Sequence, residues 1–359
     1  MTSKRLVCLL MCFSAAVALC TPAASQVAKV RVGFCARTIS SGAAPFAVAM
    51  RMGWFKEDRI EVSLVPLAGS SDCVKAVTTR EIPFALAALE PHAAAVQQGV
   101  RLKTFYTGYQ GNIYTLAVPA DSSIYEVGDL KGKTIGVISM GGGVLFAKAL
   151  VASAGLNPEG DVTFVVAGEG AQTAALVRSR QVDALSQFDT QLALAENAGV
   201  RLRRLETPQI ERFPGNGFLA LDETLKTQRR EAVALGRGYA RGTIFAINNP
   251  EAAVRILYEV FPETRPTGKD ETTAIRDDMK VLQARIPNWR LDKAGVSRWG
   301  QSSEANYAEY LDFLLKWGVI SVKIKTEDVI TNDLIDEINR FDADKLARDA
   351  KSFRANSPQ

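Results

Sequence analysis

The sequence predicts an α/β fold made of two similar units and completed by a helical C-terminal extension. Three observations carry this prediction. Short apolar runs alternate with amphipathic ones from Val30 onward, the alternation restarts with its own loops after Val118, and from Glu223 to the end almost only helical spacing remains.

In the first unit, Lys29–Phe34 has period two and predicts a strand. Ala43–Trp54 has helical spacing through Phe46, Ala49, Met50 and Trp54. Ile60–Val65 is a second strand, and Asp72–Thr79 a helix capped by Ser70, Ser71 or Asp72. Phe84–Ala87, Pro91–Gln98 and Leu102–Tyr106 then predict strand, helix and strand. Such alternation indicates parallel pairing with helices on both faces. Ile113–Val118 predicts a longer strand. The second unit follows with strands at Thr134–Ile138, Val162–Val166, Val182–Leu185 and Leu202–Leu205, and with helices at Val144–Ala154, Ala171–Arg178 and Thr190–Ala198. Phe218–Leu221 is one more strand. In the extension, Pro250, Pro262, Pro266 and Pro287 are expected to divide the helices. No low-complexity linker separates the units, so they are expected to be joined by strands.

The chain of 359 residues is 47% hydrophobic and 23% charged, which suits two lobes that each bury a core. Its net charge of +4 is mixed in sign along the chain. It has no basic tract for nucleic acid and no acidic tail, so no nucleic-acid partner is expected. Lys4 and Arg5, the uncharged run Leu6–Cys20 and the small residues Thr21–Ser25 have the layout of an export signal. The apolar run of about 15 residues is shorter than the ~20 needed to span a bilayer. Ala23 and Ser25 suit the two small-residue pockets of a signal peptidase, which places the cut before Gln26. A lipoprotein cut at Cys20 is the alternative, disfavoured by the bulky Leu19 before it. Removing residues 1–25 takes away two cations and no acid, and leaves a net charge of +2. It also removes Cys8, Cys12 and Cys20. Cys35 and Cys73 remain as an even pair in an oxidising compartment and are expected to form a disulfide.

Signals for catalysis are few. The single histidine, His92, cannot build a histidine metal cluster, and no CxxC, HExxH or G-x-S-x-G accompanies it. No metal, cofactor or catalytic residue is therefore expected. Gly141, Gly142 and Gly143 follow a strand and open a helix, but no Gly-Lys-Ser/Thr follows and the spacing departs from G-x-G-x-x-G. A small polar or anionic solute at the helix N-terminus fits better than a nucleotide. The pattern recurs: Ser40-Ser41-Gly42, Gly69-Ser70-Ser71 and Ser139-Met140-Gly141 each follow a strand and precede a helix. At strand C-terminal ends such loops can present free backbone N–H groups to one ligand, although each also serves as an ordinary cap.

A resemblance joins these features. DLKGKTIGV at Asp129–Val137 is followed by Ser139 and the triple glycine. Then come ALVASAGL at Ala149–Leu156, DVTFV at Asp161–Val165, AALV at Ala174–Val177 and VDAL at Val182–Leu185. Upstream stand PFA at Pro45–Ala47, GWF at Gly53–Phe55 and IEV at Ile60–Val62; downstream stands TNDLIDEI at Thr331–Ile338. Their order over roughly residues 28–340 resembles periplasmic binding proteins of the nitrate, sulfonate and taurine ABC importer type. The same order is similar to the thiamine-pyrimidine-precursor synthase proteins.

The resemblance implies a type II periplasmic binding protein fold, with two α/β lobes joined by two crossover strands and a ligand between them. The crossovers map to Tyr114–Val118 and Asn216–Leu221. Lobe one is then 27–115 plus 222–345, lobe two is 119–215, and 346–359 is a loosely ordered tail. Family contacts carried over loop by loop fall on Arg37, Ser40, Ser41 and Phe46, on Gly69, Ser70 and Ser71, and on Glu90 and His92. They also fall on Asn112 and Tyr114, on Ser139, Gly141 and Gly142, and on Phe188 and Asp189. Arg37 could pair with a carboxylate or sulfonate, and Phe46 and Phe188 could stack on a ring. The sequence departs from the family's frequent Asp-Pro after the VDAL strand, having Gln187, Phe188, Asp189 and Thr190 instead. The implied function is that of a monomeric periplasmic receptor that captures a small, anionic solute and delivers it to the membrane permease and ATPase of an ABC importer. An enzyme on the same fold and a ligand sensor for a membrane signalling protein are the alternatives.

Overall fold

The computed structural model describes residues 26–140 and 142–354. The expected export signal and Gly141 lie outside the described residues. The chain runs β1 (Ala28–Phe34), α1 (Ala44–Arg51), α2 (Trp54–Glu57), β2 (Ile60–Pro66), α3 (Ser70–Thr78), β3 (Phe84–Ala87), α4 (Leu89–Gln97) and β4 (Leu102–Thr107). It continues through β5 (Tyr114–Pro119), β6 (Lys133–Val137), α5 (Gly142–Ser153), β7 (Val162–Val166), α6 (Ala171–Arg178), β8 (Ala184–Phe188), α7 (Asp189–Asn197) and β9 (Leu202–Arg204). After β10 (Gly217–Leu221) come α8 (Asp222–Thr227), α9 (Arg229–Asn248), α10 (Pro250–Val260), α11 (Glu271–Trp289) and α12 (Glu304–Lys316). Three short helices close the chain: α13 (Thr326–Val329), α14 (Ile335–Ile338) and α15 (Ala343–Ser352).

Two five-stranded sheets form, in the orders β2-β1-β3-β10-β4 and β7-β6-β8-β5-β9. The orders are equivalent: in each sheet the unit's own strands run second, first, third and fourth, and one incoming strand is inserted between the third and fourth. β1 pairs parallel with β2 and β3, and β6 with β7 and β8. The inserted strands β10 and β5 are antiparallel to both neighbours. The sheets are therefore mixed, where alternation alone suggested parallel pairing. A strand that enters from the other unit has no helical crossover to set its direction. We call the layers built on these sheets lobe one and lobe two.

Tyr114–Val118 and Asn216–Leu221 were expected to cross between the lobes. They lie largely within the strands β5 and β10, and residues 108–113 and 205–216 make the passage. These segments are tied together by Gly108 and Tyr109 N–H donating to the Asn216 carbonyl at 3.0 Å each, and by Gly215 N–H donating to the Tyr109 carbonyl at 2.9 Å.

Beneath the first sheet an aromatic core forms. Phe46 from α1 meets Tyr239 of α9 at 4.8 Å and Phe218 of β10 at 5.8 Å between ring centroids. Helix α9 approaches α1 closely because Gly242 faces it: a methyl group there would land on the Pro45 carbonyl. The C-terminal helices do not stay on lobe one. Helix α11 packs against α10 on one side and α7 of lobe two on the other. Tyr310 of α12 stacks on Phe213 of the second passage at 4.4 Å. Pro287 sits inside the last turn of α11 and does not end the helix, whereas Pro250 opens α10 as expected.

The expected loose tail is corrected for residues 346–353. Asn249 Nδ2 donates to the Ala350 and Phe353 carbonyls at 2.8 and 2.9 Å, and Phe353 meets Phe245 edge-on, so α15 is held against α9. Among the described residues no helix is long and apolar enough to cross a membrane.

Candidate ligand-binding cleft

Both sheets present their strand C-terminal ends to one seam, where open α/β sheets bind ligands. A cavity of about 30 Å³ lies there, with room for about two waters. Lobe one contributes Phe34, Cys35, Ala36, Ser40, Gly42 and Leu86. The passages contribute Tyr109, Ile113 and Asn216. Lobe two contributes Tyr114, Phe188 and Thr190, and α11 contributes Arg285. Tyr114 and Phe188 are register partners on β5 and β8, and their rings meet edge-on at 5.9 Å. Four of the lining residues, Phe34, Tyr109, Tyr114 and Phe188, are aromatic.

Its charged element is a pair. Arg285 is only 3% exposed. Its Nε donates to both Asp189 carboxylate oxygens at 2.9 and 2.8 Å, and its Nη2 to Oδ1 at 2.5 Å. Asp189 also accepts from Asn288 Nδ2 at 2.8 Å and from Thr190 N–H at 2.6 Å. The guanidinium lies 4.0 Å from the centroid of the Tyr109 ring. Burial, the largest single influence, pulls the Arg285 pKa down, but the Asp189 charge and hydrogen bonds together with the neighbouring Tyr109 and Tyr239 outweigh it and leave the pKa above its ordinary value. The pair is neutral as a unit, with Nε and Nη2 of Arg285 committed to Asp189.

The lobes touch again at the rim. Glu169 of lobe two accepts from the Arg37 backbone N–H at 3.1 Å and from Thr38 Oγ1 at 2.6 Å. Gly69, at φ +95°, faces the Ser139 hydroxyl, which is buried without a partner; a Cβ there would stand 3.1 Å from it. Cys35 and Cys73 are disulfide-bonded and pin the loop after β1 to α3.

The residues expected at the site divide into three groups. Ser40, Tyr114 and Phe188 line the cavity, and Asp189 binds the lining residue Arg285. Gly69, Ser70 and Ser139 line the seam, where the Ser70 hydroxyl accepts from Ala88 N–H at 3.1 Å. Ser71 is half-buried on the first turn of α3, and Gly142 opens α5. Asn112 fixes its own turn through two bonds with the Tyr114 backbone.

The remaining expected residues lie outside the cavity wall. Arg37 is exposed, and only its backbone meets the other lobe. Phe46 is fully buried in the aromatic core because the inward face of α1 turns it toward Phe218 and Tyr239. Ser41 is buried under the turn before α1. His92 is fully buried, its Nε2 2.9 Å from the Leu102 carbonyl and its Nδ1 3.4 Å from Thr104 Oγ1. Burial holds its pKa down at about 4. Glu90 is buried on the first turn of α4, outside the cavity wall, and burial pushes its pKa up to about 7. Arg285, Tyr109 and Asn216 escaped the sequence reading as ligand contacts. For Arg285 a signal exists: it shares the apolar stripe of α11 with Val281, Leu282 and Trp289, where a charge needs a partner.

Residues 40–253 match the family model described as NMT1/THI5 like. The chain belongs to the NMT1/THI5-like family. This NMT1/THI5-like chain is 25% identical over 295 residues to the riboflavin-binding protein RibY of Chloroflexus aurantiacus, covering 81% of this chain and 82% of that one. Its fold is that of periplasmic binding proteins. The nitrate-binding protein NrtA of Synechocystis PCC 6803 superposes with a TM-score of 0.64 at 16% identity, covering 89% of this chain and 91% of NrtA. The alkanesulfonate-binding protein SsuA of Xanthomonas axonopodis pv. citri, bound to MOPS, gives 0.62 at 17%, covering 86% and 99%. The expected relationship to nitrate and sulfonate binders therefore holds at the level of fold.

Proposed function

We propose that this chain is an extracytoplasmic receptor that closes on a small ring-bearing solute and presents the closed form to the permease and ATPase of an ABC importer. The observation that carries the reading is the seam between two equivalent sheets, walled by Tyr109, Tyr114 and Phe188 and floored by a neutral ion pair. The same observation argues against the expected small anion. An oxyanion needs a cation whose charge is not already spent, yet the Arg285 charge is matched by Asp189 and the Arg37 side chain is exposed. A flat ring needs apolar faces, which this wall supplies. The riboflavin-binding relative supports the same direction.

The cavity is too small for a ring, so binding requires the lobes to part and close again about the passages at 108–113 and 205–216. The position of His92 favours binding over turnover. The residue that a nucleophile–base pair would need is locked on the Leu102 carbonyl away from the seam. The signal-like N-terminus supports delivery across the inner membrane to the periplasm.

Isothermal titration of protein purified without refolding tests the reading. Riboflavin, lumichrome and aromatic carboxylates are compared with taurine and nitrate. Saturable 1:1 binding of a ring compound is expected. Binding of taurine or nitrate alone, or turnover of a bound compound, would overturn it.

A further inference from the structure

A carboxyl group is buried where α4 meets the opposite lobe, and the protein supplies it with no hydrogen-bond partner. Glu90 is 1% exposed, and both of its carboxyl oxygens lack a hydrogen-bond partner. Its own backbone N–H and the Tyr310 hydroxyl lie near enough to pull weakly against the burial that raises its pKa, but neither reaches hydrogen-bond geometry. Structural carboxylates in protein interiors are held by a cation or by several donors. Here the one buried arginine of the cleft is committed to Asp189.

The position is informative. Glu90 follows the C-terminal end of β3, in the first turn of α4, and α4 packs against α5 of the opposite lobe. Its charge acts on Tyr114, whose ring lines the cavity. From lobe two, the Ser139 hydroxyl is buried at the same seam, also without a partner. These two orphaned polar groups, one from each lobe, flank a seam whose wall carries the rings of Phe34, Tyr109, Tyr114 and Phe188. A polar group left unpaired beside a ligand seam is the complement of a group on the ligand.

Resting on the receptor reading above, we propose that Glu90 is a specificity-determining residue of the cleft and that the solute sets a nitrogen-borne hydrogen-bond donor, an amidine or an imide N–H on its ring, against this carboxyl. Such a solute is neutral or cationic. An anion would place like charge beside this carboxyl group in its ionised form.

Matched probes test this by titration. Riboflavin and 3-methylriboflavin differ in one imide N–H; benzamidine and acetophenone differ in the amidine. Wild type, E90M and E90Q are compared, with thermal melting confirming that each is folded. In wild type the donor-bearing member of a pair is expected to bind at least about tenfold tighter, the span of one buried hydrogen bond to a charged group. In E90M the preference is expected to shrink to about twofold or less, and E90Q, which keeps an acceptor, recovers part of it for the imide. Equal or tighter binding of the donor-free members by wild type, or a preference that survives in E90M, overturns the assignment of Glu90 and leaves the receptor reading standing. If no member of either pair binds any folded variant, the ring-solute reading fails and this inference fails with it.

Discussion

Arg285 and Asp189, 96 residues apart, join the two lobes through a fork in which both carboxylate oxygens are engaged. Asp189 opens α7 in lobe two, and Arg285 sits on the inner face of α11, which is anchored to lobe one through α10. The pair is both a floor for the cleft and a strut between lobes. Replacing Arg285 by methionine leaves a buried aspartate with only Asn288 and a backbone N–H. R285M is therefore expected to lose about 3 kcal/mol in urea unfolding. D189N should lose at least as much, because it leaves the buried Arg285 guanidinium, which stays charged, facing a neutral carboxamide. The double variant should recover part of the loss, giving a coupling energy of about 2 kcal/mol in the cycle. Additive losses would mean that the two residues do not act as a pair.

At the rim, Glu169 accepts from Arg37 N–H and Thr38 Oγ1 across the opening. These groups are near water, so the contact contributes about 1 kcal/mol to closure, roughly a fivefold shift in the closed fraction. E169A is expected to enlarge the radius of gyration in small-angle scattering while thermal stability changes little. An unchanged scattering profile would show that the rim contact does not hold the lobes together.

The alternation of strands and helices was legible because β1, β2, β6 and β7 are continuous apolar or period-two runs. The direction of β5 and β10 was not, because it depends on partners in the other half of the chain. The site was read half correctly for a related reason. Loop order places residues near the cleft, but helix phase decides which way they point. Phe46 and His92 stand in the right segments and turn into the core. Phe188 ends β8 and faces its partner Tyr114. Arg285 was hidden because the amphipathic extension reads as scaffold, and its partner at Asp189 belongs to the other lobe.

The Cys35–Cys73 bridge spans 38 residues and ties a cavity-lining loop to α3. Closing a loop of this length restrains the unfolded chain by about 4 kcal/mol in the chain-entropy picture. C35S/C73S is expected to unfold at lower urea by about that amount, and mass spectrometry of protein purified without reductant should find neither thiol free for alkylation. Because Cys35 lines the cavity, the double serine variant should also bind the proposed ring solute more weakly than wild type. Two alkylated cysteines under non-reducing conditions would refute the bridge.

The two buried titratable groups on α4 make opposite contributions to pH dependence. His92 falls from its ordinary 6.5 to about 4, so the folded form binds fewer protons than the unfolded form between those values. Its contribution is complete above pH 6.5 and is lost as the pH falls toward 4, by about 3 kcal/mol. Glu90 rises from 4.5 to about 7, so the folded form holds the extra proton. Its contribution is complete below pH 4.5 and is lost as the pH rises through 7, also by about 3 kcal/mol. Between about pH 4.5 and 6.5 the two slopes oppose each other and largely cancel. E90Q removes one of them, so its stability is expected to climb with pH across this window more steeply than that of wild type, as read by urea unfolding at intervals. The chain's single histidine allows a direct check in tag-free protein: its ring-proton resonance should stay flat to near pH 5 and titrate at about 4. A midpoint near 6.5 would place the ring in water and contradict its burial against the Leu102 carbonyl.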